Sequence, residues 1–228
     1  MFGVLYGVGV GPGDPGLMTY NAVKTIEMSD VIVVPGVNKE KAVSYKIAQN
    51  IVEDLDKKKC ICVKMPMVQD ENTLKNAHQS AAEKIVAELV KGSNVAYLTL
   101  GDPTIYSTYI YIKDRVEEMG YKTQFVSGIP SFCAASALIN ECLTKKTEQL
   151  HILPLGTDFE EIQKLSGTKV LMKSASKILE LKQFLQGHQL NATMIVNCGM
   201  ENEQVYYGVH NFPDEVGYYA LIIIKDED

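Results

Sequence analysis

Short apolar runs alternate along the first half of the chain with stretches whose apolar positions fall three and four apart. "VLYGVGV", "DVIVVPG", "CICVKM" and "NVAYLTLGDP" read as strands, apolar enough to be buried on both faces. Between them the spacing predicts helices over residues 19–28, with Thr19 as N-cap, over 39–50 and over 71–91. The last is the clearest: Leu74, Ala77, Ala81, Ile85 and Leu89 form one stripe, and Gly92 follows as a C-cap. A further helix is predicted from Ser107 to Met119, stopped by Gly120.

The texture then changes. "KTQFVSG" reads as a strand and residues 130–140 as a helix of small residues. Strands near 148–153 and 168–173 flank a helix near 158–165, and another helix covers about 175–186. "NATMIVN", "EQVYYGV" and "GYYALIIIK" follow with no helix between them, which predicts antiparallel pairing; the polar segment 200–217 reads as a hairpin loop. The expected class is α/β, with two α/β domains: a parallel sheet in the N-terminal half, residues 1–118, and a mixed sheet in the C-terminal half, residues 119–228.

Composition narrows the function classes. The 228 residues are 46% hydrophobic and 22% charged, as in a soluble globular protein. No run is long enough to span a membrane, and "MFGVLYGVG" lacks the features of a signal peptide, so a cytoplasmic location is expected. Net charge is −6 and Arg115 is the only arginine, which argues against a nucleic-acid partner. The five cysteines have irregular spacing; Cys60 and Cys62 sit two apart in an apolar run and read as packed side chains. The four histidines make no zinc-type pattern, and no protein-bound metal is expected.

Candidate chemistry gathers at three turns. "GVGVGPGDPG", residues 7–16, contains a G-x-G-x-x-G window at Gly11, Gly13 and Gly16. A dinucleotide loop needs backbone N–H groups aimed at a pyrophosphate and a helix starting inside the motif. Here Pro12 and Pro15 remove two donors, the helix starts near Thr19, and Asp30 precedes the second strand rather than ending it. Two other readings stand: a side-chain-free strand face open to a backbone or a flat ligand, or tight packing followed by a turn. The second turn, within "LGDPTIYSTY", holds Asp102 beside Pro103, with Ser107 and Thr108 able to cap the next helix. The third, within "FVSGIPSF", carries Gly128, Pro130 and Ser131. Three such turns ending three strands bound a crevice with hydroxyls, backbone groups and one acid, which suits a cation or ligand hydroxyls. Of the nearby tyrosines, Tyr109 and Tyr111 point to different helix faces, and Tyr106 lies in the turn itself.

The order of these motifs, with "KVLMK" at 169–173 and the C-terminal "YYALIII", resembles the tetrapyrrole methyltransferases over essentially the whole chain. "GDPTIYSTYIYI" and "GIPSFCAA" look most like the members that methylate C20 of precorrin-2 or cobalt-factor II in cobalamin biosynthesis. The resemblance implies S-adenosylmethionine as methyl donor, a cofactor held between two α/β domains, and a homodimer. It implies cofactor contacts at Val10 in the opening loop; at Gly101, Asp102, Ile105, Ser107 and Thr108 around the GDP turn; and at Ser131 and Phe132 of GxxS. It adds Met172, whose backbone would hold the adenine side, and Cys198 and Ala220; around 197–203 this chain reads "CGMENE" where many relatives read roughly "ATxPxE". The substrate would be a tetrapyrrole disc with several carboxylates, with Lys39, Lys41, Lys173 and Arg115 as rim candidates and any cobalt carried in the ring. Tyr106 is the candidate catalytic residue facing it. The alternatives are a sibling methylase acting at another ring carbon, a diphthine synthase, a nicotinamide oxidoreductase and a tetrapyrrole carrier.

Overall fold

All five strands of the first sheet run in one direction: β1 (Val4–Gly9), β2 (Val31–Pro35), β3 (Lys59–Val63), β4 (Val95–Thr99) and β5 (Lys122–Val126), in spatial order β3-β2-β4-β1-β5. They belong to a computed structural model that describes residues 2–66, 68, 70–154, 156–173 and 177–226. The helices between them are α1 (Tyr20–Met28), α2 (Val43–Gln49), α3 (Glu71–Leu89) and α4 (Tyr109–Glu118). Alternate strand residues feed two cores. Val8, Ile32, Val34, Ala96 and Leu98 pack with Ala22 and Ile26 of α1 and Tyr45 and Ala48 of α2. Leu5, Val31, Val33, Val95 and Tyr97 pack with Ala81, Ile85 and Leu89 of α3 and Tyr109, Ile112 and Val116 of α4. Coverage on both faces is why the interior strands β2 and β4 read as unbroken apolar runs.

Local chemistry sets the helix starts. The Thr19 hydroxyl accepts from the Ala22 amide at 3.1 Å, as its place before α1 predicts. The predicted 39–50 helix divides into a 3-10 turn at Lys39–Lys41, capped by Asn38, and then α2. Helix α4 starts at Tyr109 rather than Ser107, because the Ser107 hydroxyl takes the Tyr109 amide at 3.2 Å and Tyr106 has a φ of +47°.

The chain divides into two compact units, Met1–Pro130 and Ser131–Asp228. This moves the expected boundary after residue 118: β5 pairs with β1 in the first sheet, Val8 opposite Val126, so it belongs to the first unit.

The second unit begins with α5 (Ser131–Leu138) and continues through β6 (Leu150–Leu153), α6 (Phe159–Lys164), β7 (Thr168–Met172), α7 (Ile178–Gly187), β8 (Asn191–Val196), β9 (Gln204–Tyr207) and β10 (Ala220–Lys225). Its sheet has the order β6-β7-β10-β8-β9 and is mixed, as expected: β6 and β7 are parallel, and β10 runs antiparallel to both β7 and β8. The predicted 200–217 loop holds β9, antiparallel to β8, and a 3-10 turn at Val209–Asn211. The predicted 175–186 helix opens at residues 175 and 176, which lie outside the described residues. Leu171, Met194, Ile222 and Ile224 pack on Ile162 of α6 and Leu181 and Leu185 of α7.

Candidate active site

Because β4, β1 and β5 are parallel neighbours, the turns that follow them leave one edge of the first sheet together. The turn after β1 is tied to the turn after β4 by an antiparallel bridge between Gly11 and Gly101, with the Gly101 amide donating to the Gly11 carbonyl at 2.8 Å. The glycines let these backbones touch. A methyl on Gly9 would lie 2.5 Å from the Gly101 oxygen and 2.7 Å from the Gly128 nitrogen. One on Gly128 would lie 2.1 Å from the same oxygen. At Gly7 an added methyl would fall 2.1 Å from the ring of Tyr109. The strand face without side chains is therefore filled from inside the fold: the protein's own turns occupy it at Gly9, and a core tyrosine occupies it at Gly7. The flat-ligand reading of that face is corrected accordingly. Helix α1 starts at Tyr20, after a 3-10 turn at Pro15–Leu17 in which Asp14 accepts from the Gly16 amide. The glycine window thus lies outside the helix start, against the phosphate-loop geometry.

Asp102 staples two of the turns. One carboxylate oxygen accepts from the Thr104 amide at 2.8 Å and from the Thr104 hydroxyl. The other accepts from the Gly128 amide at 3.0 Å, a buried bond across 26 positions of sequence. Asp102 is 8% exposed. A second staple closes the turn: the Ser107 hydroxyl pairs with Thr99 at 3.0 Å, and Thr108 pairs with the Tyr97 hydroxyl at 3.3 Å. Burial pushes the Tyr97 hydroxyl up to about 12, which keeps it a neutral hydrogen-bonding group. Thr19, the α1 cap, also donates to the Ser127 carbonyl at 3.1 Å and joins the opening loop to the third turn. Between the staples lie Ile105, half-buried, and Tyr106, exposed at 41%.

The expected residues of the first unit therefore share one edge but differ in orientation. Val10 is fully buried in the core and its amide donates to the Thr99 carbonyl at 3.0 Å, so only its carbonyl remains as a ligand contact. Asp102, Ser107 and Thr108 face the protein's own turns and helix start. Tyr109 is a core residue whose hydroxyl donates to the Gln124 carbonyl at 3.2 Å. Tyr111 lies on the surface, stacked on His78 at 5.0 Å. Thr104 escaped the sequence reading, as did the tie from the Thr19 cap to the third turn; a hydroxyl two residues after an aspartate on a turn is the signal that points to Thr104.

In the second unit, the end of β7, the start of β10 and the end of β8 lie at one end of the sheet. Met172 stands opposite Leu221, Ala220 opposite Val196, and the Asn197 amide donates to the Tyr219 carbonyl at 2.9 Å. Met172, Cys198 and Ala220 are thus gathered at that end. Burial, then the Glu203 carboxylate, raises the Cys198 thiol to about 11. Ser131 and Phe132 open α5, Phe132 with its ring buried. Of the rim candidates, Arg115 donates to the Tyr111 carbonyl at 2.9 Å, Lys39 lies 5.4 Å over the Tyr45 ring, Lys41 is exposed, and Lys173 follows β7 with a φ of +61°. Among the described residues no group of three or more His, Cys, Asp or Glu is arranged to hold a metal ion, and no helix is long and apolar enough to cross a membrane.

Comparison with known proteins agrees with this arrangement. The protein named probable cobalt-precorrin-2 C(20)-methyltransferase of Methanocaldococcus jannaschii is 32% identical over 225 residues, covering 97% of this chain and 95% of the relative. The cobalt-precorrin-2 C(20)-methyltransferase of Salmonella typhimurium is 26% identical over 236 residues, covering 100% and 98%. The fold matches the crystal structure of a Thermus thermophilus uroporphyrin-III C-methyltransferase complexed with S-adenosyl homocysteine, with a TM-score of 0.72, 16% identity, and 98% of each chain covered. A parallel sheet with three glycine turns at one edge, a mixed second sheet, and a family match over residues 4–210 lead to one assignment: the chain belongs to the tetrapyrrole (corrin/porphyrin) methylases.

Proposed function

We propose that this protein transfers the methyl group of S-adenosylmethionine to C20 of cobalt-factor II, or of precorrin-2, in cobalamin biosynthesis. The observation that carries this reading is the end-to-end match to a relative named for that reaction, over 97% of this chain and 95% of the relative. The edge of the first unit fits a nucleoside that is part apolar and part polar. It offers a half-buried Ile105 together with an exposed Tyr106 and an exposed Thr104. Helix α1 starts at Tyr20, beyond the glycine window, and Pro12 and Pro15 take two amide donors out of that loop, which argues against the nicotinamide alternative.

S-adenosylmethionine brings its own activation, a methyl on a positively charged sulfur, so the residues serve chiefly to align the donor with the ring carbon. Orientation of this kind is worth up to roughly 7–11 kcal/mol. In this reading Ile105 and the backbone of Val10 and Gly101 support the donor, with Asp102, Ser107 and Thr108 shaping the turn beneath them. Ser131, Phe132, Met172, Cys198 and Ala220 are the second unit's share, and Tyr106 faces the substrate. Cytoplasmic location and a homodimer belong to the same reading; light scattering of the purified chain tests the latter.

The test is incubation of the protein with carbon-13 methyl-labelled donor and either cobalt-factor II or precorrin-2, followed by NMR of the product. Label at C20 is expected. Label at another meso carbon assigns a sibling reaction, and binding of the ring with no methyl transfer overturns the enzymatic reading.

A further inference from the structure

We propose that Asp102 is a positioning residue: its carboxylate sets the spacing between the second and third turns by holding the Gly128 amide, and it does not serve as a counter-ion for the donor's sulfonium. This deepens the methyltransferase reading above and rests on it for the identity of the ligand.

The geometry points this way from three sides. First, the carboxylate is already engaged on both oxygens: the Thr104 amide and hydroxyl on one, the Gly128 amide on the other. An ionised carboxylate has about four acceptor sites, and three are filled from inside the protein. Second, the partners explain the residue type. Three donors converge from both sides of the group, and only a carboxylate accepts on both oxygens; an asparagine would aim its NH2 at either Thr104 or Gly128 and set donor against donor. Third, the bond crosses a contact with no slack. The Gly101 carbonyl is packed so closely on Gly9 and Gly128 that neither glycine has room for a methyl. The carboxylate holds together the backbones whose approach the glycines permit.

The consequence reaches the exposed part of the turn. The Ile105 amide donates to the Asp102 carbonyl at 3.3 Å, so the staple also fixes where Ile105 begins. Tyr106 follows in the left-handed region at a φ of +47°, a conformation that costs energy for a bulky residue and persists only where its surroundings impose it. Asp102 on one side and the Ser107–Thr99 pair on the other impose it. Releasing Asp102 would let Ile105 and Tyr106 relax together, and both faces of the proposed reaction would lose alignment.

The experiment uses the full chain, nitrogen-15 labelled, as wild type, Asp102→Asn and Thr104→Val. Hydrogen exchange of the Gly128 amide is followed by NMR. Affinities for S-adenosylmethionine and for S-adenosylhomocysteine, whose sulfur is neutral, are measured by calorimetry. In Asp102→Asn the Gly128 amide is expected to exchange at least about tenfold faster, and both affinities to fall by the same factor, about ten- to a hundredfold. Thr104→Val keeps the carboxylate and removes one donor; both affinities are expected to fall by one common, smaller factor, about two- to tenfold. A selective loss of S-adenosylmethionine, tenfold or more beyond that of S-adenosylhomocysteine, overturns the proposal in favour of a direct counter-ion. So does an unchanged Gly128 amide in Asp102→Asn. If that variant does not fold, Thr104→Val decides: unchanged affinities overturn the staple. A wild-type protein that binds neither ligand refutes the methyltransferase reading instead, and Gly128 exchange in Asp102→Asn still decides the staple.

Discussion

Replacing Gly128 by alanine adds a single methyl, and the structure says where it must go. It would sit 2.1 Å from the Gly101 oxygen and 2.8 Å from the Gly9 Cα, both backbone atoms that no rotamer change can move aside. A comfortable carbon–oxygen contact is about 3.3 Å, so the two turns would have to part by roughly 1.2 Å. The bond from the Gly128 amide to Asp102, now 3.0 Å, would not survive that shift. Overpacking typically costs about 1–3 kcal/mol, and leaving a buried donor without its acceptor costs about 1–3 kcal/mol more. The expected loss is therefore about 2–6 kcal/mol, a large share of the roughly 5–15 kcal/mol a domain has. At a central value of about 4 kcal/mol the melting temperature should drop by roughly 8–16 °C. The assay is thermal and urea unfolding followed by circular dichroism. Gly217→Ala serves as the control: nothing lies within 4 Å of its added methyl, and a change within about 0.5 kcal/mol is expected. A Gly128→Ala protein as stable as wild type would refute the packing argument, and with it the account of why glycine stands at these turns.

Tyr109→Phe removes the donor to the Gln124 carbonyl while keeping the ring against Gly7, so urea unfolding should show a loss of about 1 kcal/mol; Tyr109→Ala should lose about 3–5 kcal/mol. Burial raises the thiols of Cys60 and Cys198 to about 11. At pH 8 roughly one in a thousand of either is thiolate, so iodoacetamide should label the exposed Cys142 well ahead of both, read by mass spectrometry. Burial alone would raise the Asp226 carboxyl, but the Lys169 ammonium and the Gly167 amide outweigh it and hold its pKa below the ordinary 3.8. A lowered carboxyl pKa stabilises the fold above the unfolded value and loses that effect as pH falls through the folded one. Urea midpoints should therefore decline below pH 3.8 more steeply in wild type than in Asp226→Asn, which should also be the less stable protein at neutral pH because it leaves buried Lys169 without its carboxylate.

Sequence reading succeeded where the signal is local. Buried parallel strands make continuous apolar runs, as in Val31–Val34, and the α3 stripe from Ala81 to Leu89 has helical spacing because one face meets the core. Thr19 is legible as a cap since its partner amide is three residues away. The domain boundary was not legible. Strand β5 is an edge strand with exposed Lys122, Gln124 and Phe125, and nothing in its residues tells which sheet it joins; the hydrogen bonds to β1 decide that. The split of the 39–50 helix likewise depends on Asn38 taking the Glu40 amide, a competing local bond that apolar spacing does not register. At the site, the three turns could be named from sequence, but the partners of their glycines could not, because Gly9 meets Gly101 and Gly128 only after the strands are ordered.

That difference changes how a motif of this kind should be read. Matching residues one by one suggests a row of side chains reaching for a ligand. In the first unit the side chains of Val10, Asp102, Ser107 and Thr108 are instead turned toward the core, the neighbouring turn or the helix start. What the motif encodes is a backbone path, held by two staples and made possible by glycines that fit against each other. On that path few side chains are displayed, Ile105 and Tyr106 among them. If alignment of donor and acceptor supplies most of the rate, displacement of the path by an ångström matters as much as loss of a contact group. The sharpest effects on methyl transfer should therefore come from Gly9, Asp102 and Gly128, whose side-chain positions face the protein's own backbone, and they should appear as lost alignment in kcat together with lost affinity.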